Sequence, residues 1–145
     1  MFSWLAAAVL RRNMARLNAG DHRPLLRLYA RDVRFRFPGD STWATELEGR
    51  EELGRWLQRF VEAGLHIEAD EVLAQGPPWN MRICVRGVDH LDTEDGRVYE
   101  NRYVIWGRMA WGLMRDYEVY EDTQASKALD GYLQRRGEAA GTPSG

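Results

Sequence analysis

Three polar side chains stand out by the company they keep. Asp89 closes an apolar strand-like run, Met81-Arg82-Ile83-Cys84-Val85-Arg86-Gly87-Val88-Asp89. Asn101 is the odd polar residue among the aromatics of Tyr99-Glu100-Asn101-Arg102-Tyr103. Asp122 stands just before Thr123 and a helical stretch. A carboxyl in an apolar chamber is desolvated, which raises its pKa, and a second nearby acid raises one of the two further. That pairing suits proton transfer near neutral pH. Each residue also has a purely structural use. Asp122 fits a helix N-cap, Asp89 a solvated strand end, and Asn101 the backbone groups of a bulge. His22, His66 and His90 show no ligand-like clustering, and no metal site or other cofactor is expected.

The elements that must hold these residues are legible from periodicity. The spacing predicts a first helix over Ser3–Leu17, with Leu10, Met14 and Leu17 on one face and Gly20 beyond its end. Asp21 is placed to cap a second helix that admits Pro24 in its first turn. Val33-Arg34-Phe35-Arg36-Phe37 alternates as a half-buried strand, and Thr42–Leu47 is read as its short return. Leu53, Trp56, Leu57, Phe60 and Val61 define a third helix that Gly64 closes. Strands follow over His66–Ala74, Asn80–Leu91, Arg97–Met109 and Leu113–Glu121, with a tight turn near Gly112. Ala125, Leu129, Tyr132 and Leu133 suggest a short final helix, and residues 137–145 a flexible tail. The expectation is one α+β domain over residues 1–136, with an antiparallel and mixed sheet and helices on one face.

Composition bounds the function. The 145 residues carry 20 basic and 22 acidic side chains, a balance that favours neither nucleic acid nor an anionic membrane. The lone Cys84 cannot form an internal disulfide, and a cytoplasmic setting is expected. The apolar run Phe2–Leu10 precedes its arginines, unlike a secretory signal, and is too short to span a bilayer.

Several segments together resemble the SnoaL-like domain of the nuclear transport factor 2-like superfamily. They are Asn18-Ala19-Gly20-Asp21, Leu28-Tyr29-Ala30, Glu48-Gly49-Arg50, Gly96 to Tyr103, and Tyr120-Glu121-Asp122-Thr123. The likeness covers roughly Leu10 to Leu133. It implies a cone in which a strongly bent sheet packs against three helices in the N-terminal half and encloses one pocket. Superfamily members include polyketide cyclases, ketosteroid isomerases and limonene epoxide hydrolases, so the fold alone does not decide function. At the ketosteroid isomerase positions this chain has Asn13, Phe37 and Val104-Ile105, none of them the required acid, base or phenol. At the epoxide hydrolase positions both acids are matched, by Asp89 and Asp122. The bridging arginine is replaced by Gly87, and the water-holding Tyr and Asn by Phe35 and Phe37. A cyclase needs only one carboxylate and an apolar wall.

Strand parity then assigns a lining. If Asp89 points inward, so do Gly87, Val85, Ile83 and Met81, and if Asp122 does, so do Tyr120, Glu118 and Asp116. Asn101, Tyr103 and Ile105 are taken as the inner face of their strand, with Phe35, Phe37, Trp56 and Phe60 closing the wall. The reading is a pocket for a small hydrophobic molecule. Asp122 and Asp89 would move protons, and Asn101 and Tyr103 would orient the substrate. The alternatives are a non-catalytic binding or dimerising scaffold, and an epoxide hydrolase with an altered relay. Arg82, Arg86, Arg102 and Arg108 are placed on the outer face of the sheet, where the resemblance implies a homodimer.

Overall fold

The computed structural model describes residues 3–141. Its elements are α1 (Ser3–Asn18), α2 (Arg23–Leu26), β1 (Tyr29–Phe37), β2 (Thr45–Glu48), α3 (Arg50–Glu62), β3 (His66–Gln75), β4 (Met81–Thr93), β5 (Gly96–Ala110), β6 (Leu113–Glu121) and α4 (Thr123–Gly141). The strands form one sheet in the order β2-β1-β6-β5-β4-β3. Every neighbouring pair is antiparallel except β1 and β6, which run parallel because the chain leaves β1 early and returns beside it at the end.

The sheet is long in the middle and interrupted in register. Slips fall between Ala69 and Glu71 on β3, Leu91 and Asp92 on β4, and Arg108 and Met109 on β5. Bulges of this kind increase local twist and bend the strand, so the sheet curls around its own inner face. Helix α1 lies against β3 at that rim. The Asn18 amide clamps its end there, donating to the Ile67 carbonyl at 2.9 Å and accepting the Ile67 N–H at 2.8 Å. The Arg11 guanidinium donates to the carbonyls of Ala69 and Asp70, at the β3 bulge. Helix α3 turns Leu53, Leu57 and Phe60 inward and its charged residues outward.

The boundaries differ from the sequence-based expectation where tertiary contacts decide. β1 starts at Tyr29 rather than Val33, because Tyr29 already pairs with Met114 of β6. The return strand starts at Thr45, because Thr42 is held in the preceding turn. Its backbone N–H and hydroxyl both donate to the Asp130 carboxylate at 2.6 Å, and Arg59 donates to its carbonyl. Asp21 does not cap a long helix. Its carboxylate accepts the Arg23 N–H and guanidinium at the head of a single turn. α4 is longer than expected and runs through the first part of the segment read as a tail, while residues 142–145 lie outside the described residues.

Candidate functional site

The inner face of the sheet is set by three strands in register. Gly87 of β4 faces Tyr103 of β5, and Tyr103 faces Glu121 of β6. One pair along, Val85 faces Ile105, which faces Val119. Residues directly opposite on adjacent strands share a face, so Asp89, Val85, Tyr103, Ile105, Val119 and Glu121 all point inward. β1 adds Phe35 and Phe37, and α3 adds Trp56 and Phe60. Between them lies a void of about 80 Å³ whose wall is apolar apart from Asp89, Glu121 and the tyrosine hydroxyls.

The void is smaller than the roughly 300–1,000 Å³ usual for a drug-sized ligand. The reason is aromatic filling. Phe35 packs edge-on to Trp56 at 4.9 Å and against Tyr117 at 4.7 Å, and Tyr117 stacks on Tyr29 at 5.1 Å. Trp56 is itself fixed, its indole N–H donating to the Trp43 carbonyl at 3.1 Å.

Phe35, Phe37, Trp56, Val85, Ile105, Tyr103 and Asp89 thus take the inward positions that parity assigned them. Two other residues do not, and Asn101 takes the inner face, opposite Asp89, without lining the void. Tyr120 is 45% exposed on the outer face, opposite Val104. Asp122 lies one residue past β6, and its carboxylate accepts the N–H groups of Gln124 at 3.0 Å and Ala125 at 3.4 Å, which makes it the N-cap of α4. Asn101 is buried behind Tyr99. Its amide donates to the Asp122 carbonyl at 2.9 Å and the Tyr99 hydroxyl at 3.1 Å, and its oxygen accepts the Asp122 N–H. Asn101 therefore holds the β6–α4 junction in place rather than facing the void. Asp116 and Glu118 also lie on the outer face, where Asp116 pairs with Arg108. The inner-face parity of β6 belongs to Tyr117, Val119 and Glu121. The alternation of Tyr117 and Val119 in the sequence carries this parity, whereas the resemblance that matches Asp122 to an epoxide hydrolase position implies the opposite one.

Gly87 has a local reason. A Cβ there would lie 1.9 Å from the Glu68 carbonyl oxygen and 2.6 Å from the Tyr103 hydroxyl. The Tyr103 ring crosses this gap to donate to the Glu68 carbonyl at 2.8 Å. An arginine at this position would have no room.

The acid pair of the site is Asp89 with Glu121. Asp89 is 7% exposed, and the Tyr99 hydroxyl donates to its Oδ2 at 3.2 Å. Its Oδ1 is buried and receives no protein donor as long as both acids are ionised. Glu121 lines the same void and its charge acts on Asp89, so a proton on the pair would relieve both the repulsion and the unpartnered oxygen. Glu121 also accepts the Ser126 hydroxyl at 2.6 Å, so its ionised form is the better supplied with donors. The proton therefore resides on Asp89. Burial and then the neighbouring Glu121 charge push the Asp89 carboxyl up to about 8. Burial raises Glu121 as well, and the hydrogen bonds from Ser126, Asp89 and Tyr99 partly offset it.

His66 and His90 meet edge to face at 5.5 Å, away from the acids' void. Among the described residues no group of three or more His, Cys, Asp and Glu side chains is placed to hold a metal ion. No helix among them is long and apolar enough to cross a membrane.

The curved sheet, the helices at its rim and the inward acids define a known class of domain. A SnoaL-like domain model matches residues 10–117, and the chain belongs to that family. Among solved structures, it is similar to Bal32a from a soil-derived mobile gene cassette, at 21% identity over 90% of this chain and 99% of that one, TM-score 0.72. It is similar to TerC co-crystallised with polyporic acid, at 20% identity over 86% and 95% of the two chains, TM-score 0.69. An NTF2-like protein of unknown function from Burkholderia pseudomallei matches at 21% identity over 85% and 95%, TM-score 0.68. At these identities the likeness shows the fold. No curated protein matches the chain.

Proposed function

We propose that this domain is a cofactor-independent acid–base enzyme acting on a small hydrophobic carbonyl compound, of the isomerase or cyclase type. The observation that carries the reading is the pair of buried acids, Asp89 and Glu121, at the wall of an apolar void, with burial and the Glu121 charge pushing Asp89 up to about 8. A pair in that state has both functions of an enolisation in hand. The Glu121 carboxylate takes a proton from carbon next to the carbonyl, the C–H electrons form the enol double bond, and Asp89 delivers its proton to the carbonyl oxygen. Return of a proton at a different carbon completes an isomerisation, and attack of the enol carbon on a second carbonyl closes a ring. Phe35, Phe37, Trp56, Val85 and Ile105 would exclude water and shape the substrate. The substrate enters by displacing aromatic side chains from the filled interior.

Deuterium incorporation next to the carbonyl of 2-hexanone or 3-cyclohexenone in D2O, followed by NMR, tests the reading. The wild type is expected to accelerate exchange, and Asp89→Asn and Glu121→Gln to abolish it with the fold retained. Exchange that persists in both variants sinks the proposal.

Non-catalytic binding is the second reading. The small void favours it, as does the engagement of the Tyr103 hydroxyl and the Asn101 amide by backbone. Binding of these ketones without exchange would establish it. The epoxide hydrolase reading loses its relay, because the Asp122 carboxylate caps α4. A homodimer through the outer sheet face remains part of the proposal. Val104, Trp106 and Tyr120 are exposed there among in-chain ion pairs, and analytical ultracentrifugation tests it.

A further inference from the structure

A second hollow lies at the opposite end of β4 from the acids. It is an open groove of about 350 Å³, lined by Leu5, Ala6 and Val9 of α1 together with Pro78, Met81 and Met109. Ile83 lines both this groove and the void that holds Asp89 and Glu121. At this end of the sheet stand two exposed indoles, Trp79 and Trp111, with ring centroids 6.1 Å apart and exposures of 60% and 70%. Their loops are tied together by the backbone N–H of Trp111 donating to the Pro78 carbonyl at 2.7 Å. Trp111 takes the left-handed conformation, with φ of 53°, in the two-residue turn to β6 that it shares with Gly112. Such turns favour Asn or Gly at this place, and a bulky side chain there is held against its backbone preference. An indole kept exposed at that cost points to a use for the ring.

We propose that the groove and the void form one elongated site, with Ile83 as the partition between them. Resting on the function proposed above, the substrate is then a long apolar carbonyl compound: its reacting head lies at Asp89 and Glu121, and its hydrocarbon tail lies in the groove beside Trp79 and Trp111. The inward face of β4 supplies the track, running from Asp89 through Val85 and Ile83 to Met81. Six residues separate Asp89 from Ile83, so a ligand reaching the groove spans about 20 Å at the extended rise of about 3.3 Å per residue. Both compartments are walled by aliphatic and aromatic groups, and Asp89 and Glu121 are the acids on their walls. A long hydrocarbon chain with one carbonyl head matches that distribution, whereas a compact polar metabolite does not.

The methionines report on each compartment separately. Met14 and Met114 line the void, and Met81 and Met109 line the groove. The experiment titrates the full chain, carrying 13C-methyl methionine, with 2-alkanones from 2-hexanone to 2-nonadecanone, whose extended length covers the span of about 20 Å. 2-Hexanone is expected to shift Met14 and Met114 alone. The longest members are expected to shift all four together, with affinity rising about fourfold per added methylene until the groove is filled. Trp79→Ala should weaken the long members and leave 2-hexanone unchanged. Long ketones that leave Met81 and Met109 silent overturn the inference, and so do groove shifts that occur without any in the void. If all four methyls move together but no α-carbon exchange occurs, the elongated site stands and the catalytic reading fails. If 2-hexanone exchanges but the groove stays silent at every chain length, the catalytic reading stands and this inference fails.

Discussion

Replacing Asp89 by Asn is expected to change how stability depends on pH, in a direction the structure dictates. In the unfolded chain Asp89 loses its proton near the ordinary aspartate value of 3.8, whereas in the fold it keeps the proton to about 8. Between those values the folded state binds more protons than the unfolded state, so stability falls as pH rises. The stabilisation is fully present below about pH 4 and is lost by the time pH passes about 8. With one excess proton the slope approaches 1.4 kcal/mol per pH unit, which gives about 2.5 kcal/mol lost between pH 5 and pH 7. Asn keeps an oxygen to accept from Tyr99 and an N–H to donate to Glu121, so it mimics the protonated acid and does not titrate. The variant should match the wild type below about pH 4 and exceed it increasingly above that, the gap widening by about 2.5 kcal/mol between pH 5 and pH 7. Urea denaturation followed by tryptophan fluorescence, at constant ionic strength from pH 4.5 to 8, measures the difference. Taking the difference cancels the histidines, which titrate in both proteins. A gap between variant and wild type that does not change with pH would refute the shared-proton pair.

Three further outcomes follow from the same contacts. Gly87→Ala should destabilise by about 3 kcal/mol or more in urea unfolding, because its Cβ meets the Glu68 carbonyl and the Tyr103 hydroxyl well inside contact distance. Asp122→Ala should cost about 1 kcal/mol in urea unfolding through loss of the α4 cap, and should lower the Glu121 titration, read by carboxyl 13C NMR, because the Asp122 charge helps raise it. Asn101→Ala strands the Asp122 N–H and carbonyl, and should cost about 2–3 kcal/mol in the same unfolding assay.

Much of this molecule is written in local pattern. α3 shows its buried stripe because Leu53, Leu57 and Phe60 recur at helical spacing. β4 shows its inner face because Asp89 shares the parity of Val85 and Ile83, and no register slip falls between them and Asp89. The β5–β6 turn shows in Gly112. For these elements the period of one segment is enough, because each buries a single face and a shift by one residue would expose all of it.

The remaining features are set where two elements meet. Whether Glu121 or Asp122 turns inward depends on the register of β6 against β5 and on where α4 begins, and neither is a property of the segment alone. The Asn101 amide is taken by the Asp122 backbone because the strand end and the helix start converge on it. Gly87 admits no side chain because Tyr103 from the next strand and the Glu68 carbonyl occupy the space above it. The size of the void is likewise set by how rings from β1, β6 and α3 interlock. Pattern along a chain determines which face a residue takes within its own element. The partner it meets across the fold is determined by packing, and for Asp89 that partner is Glu121.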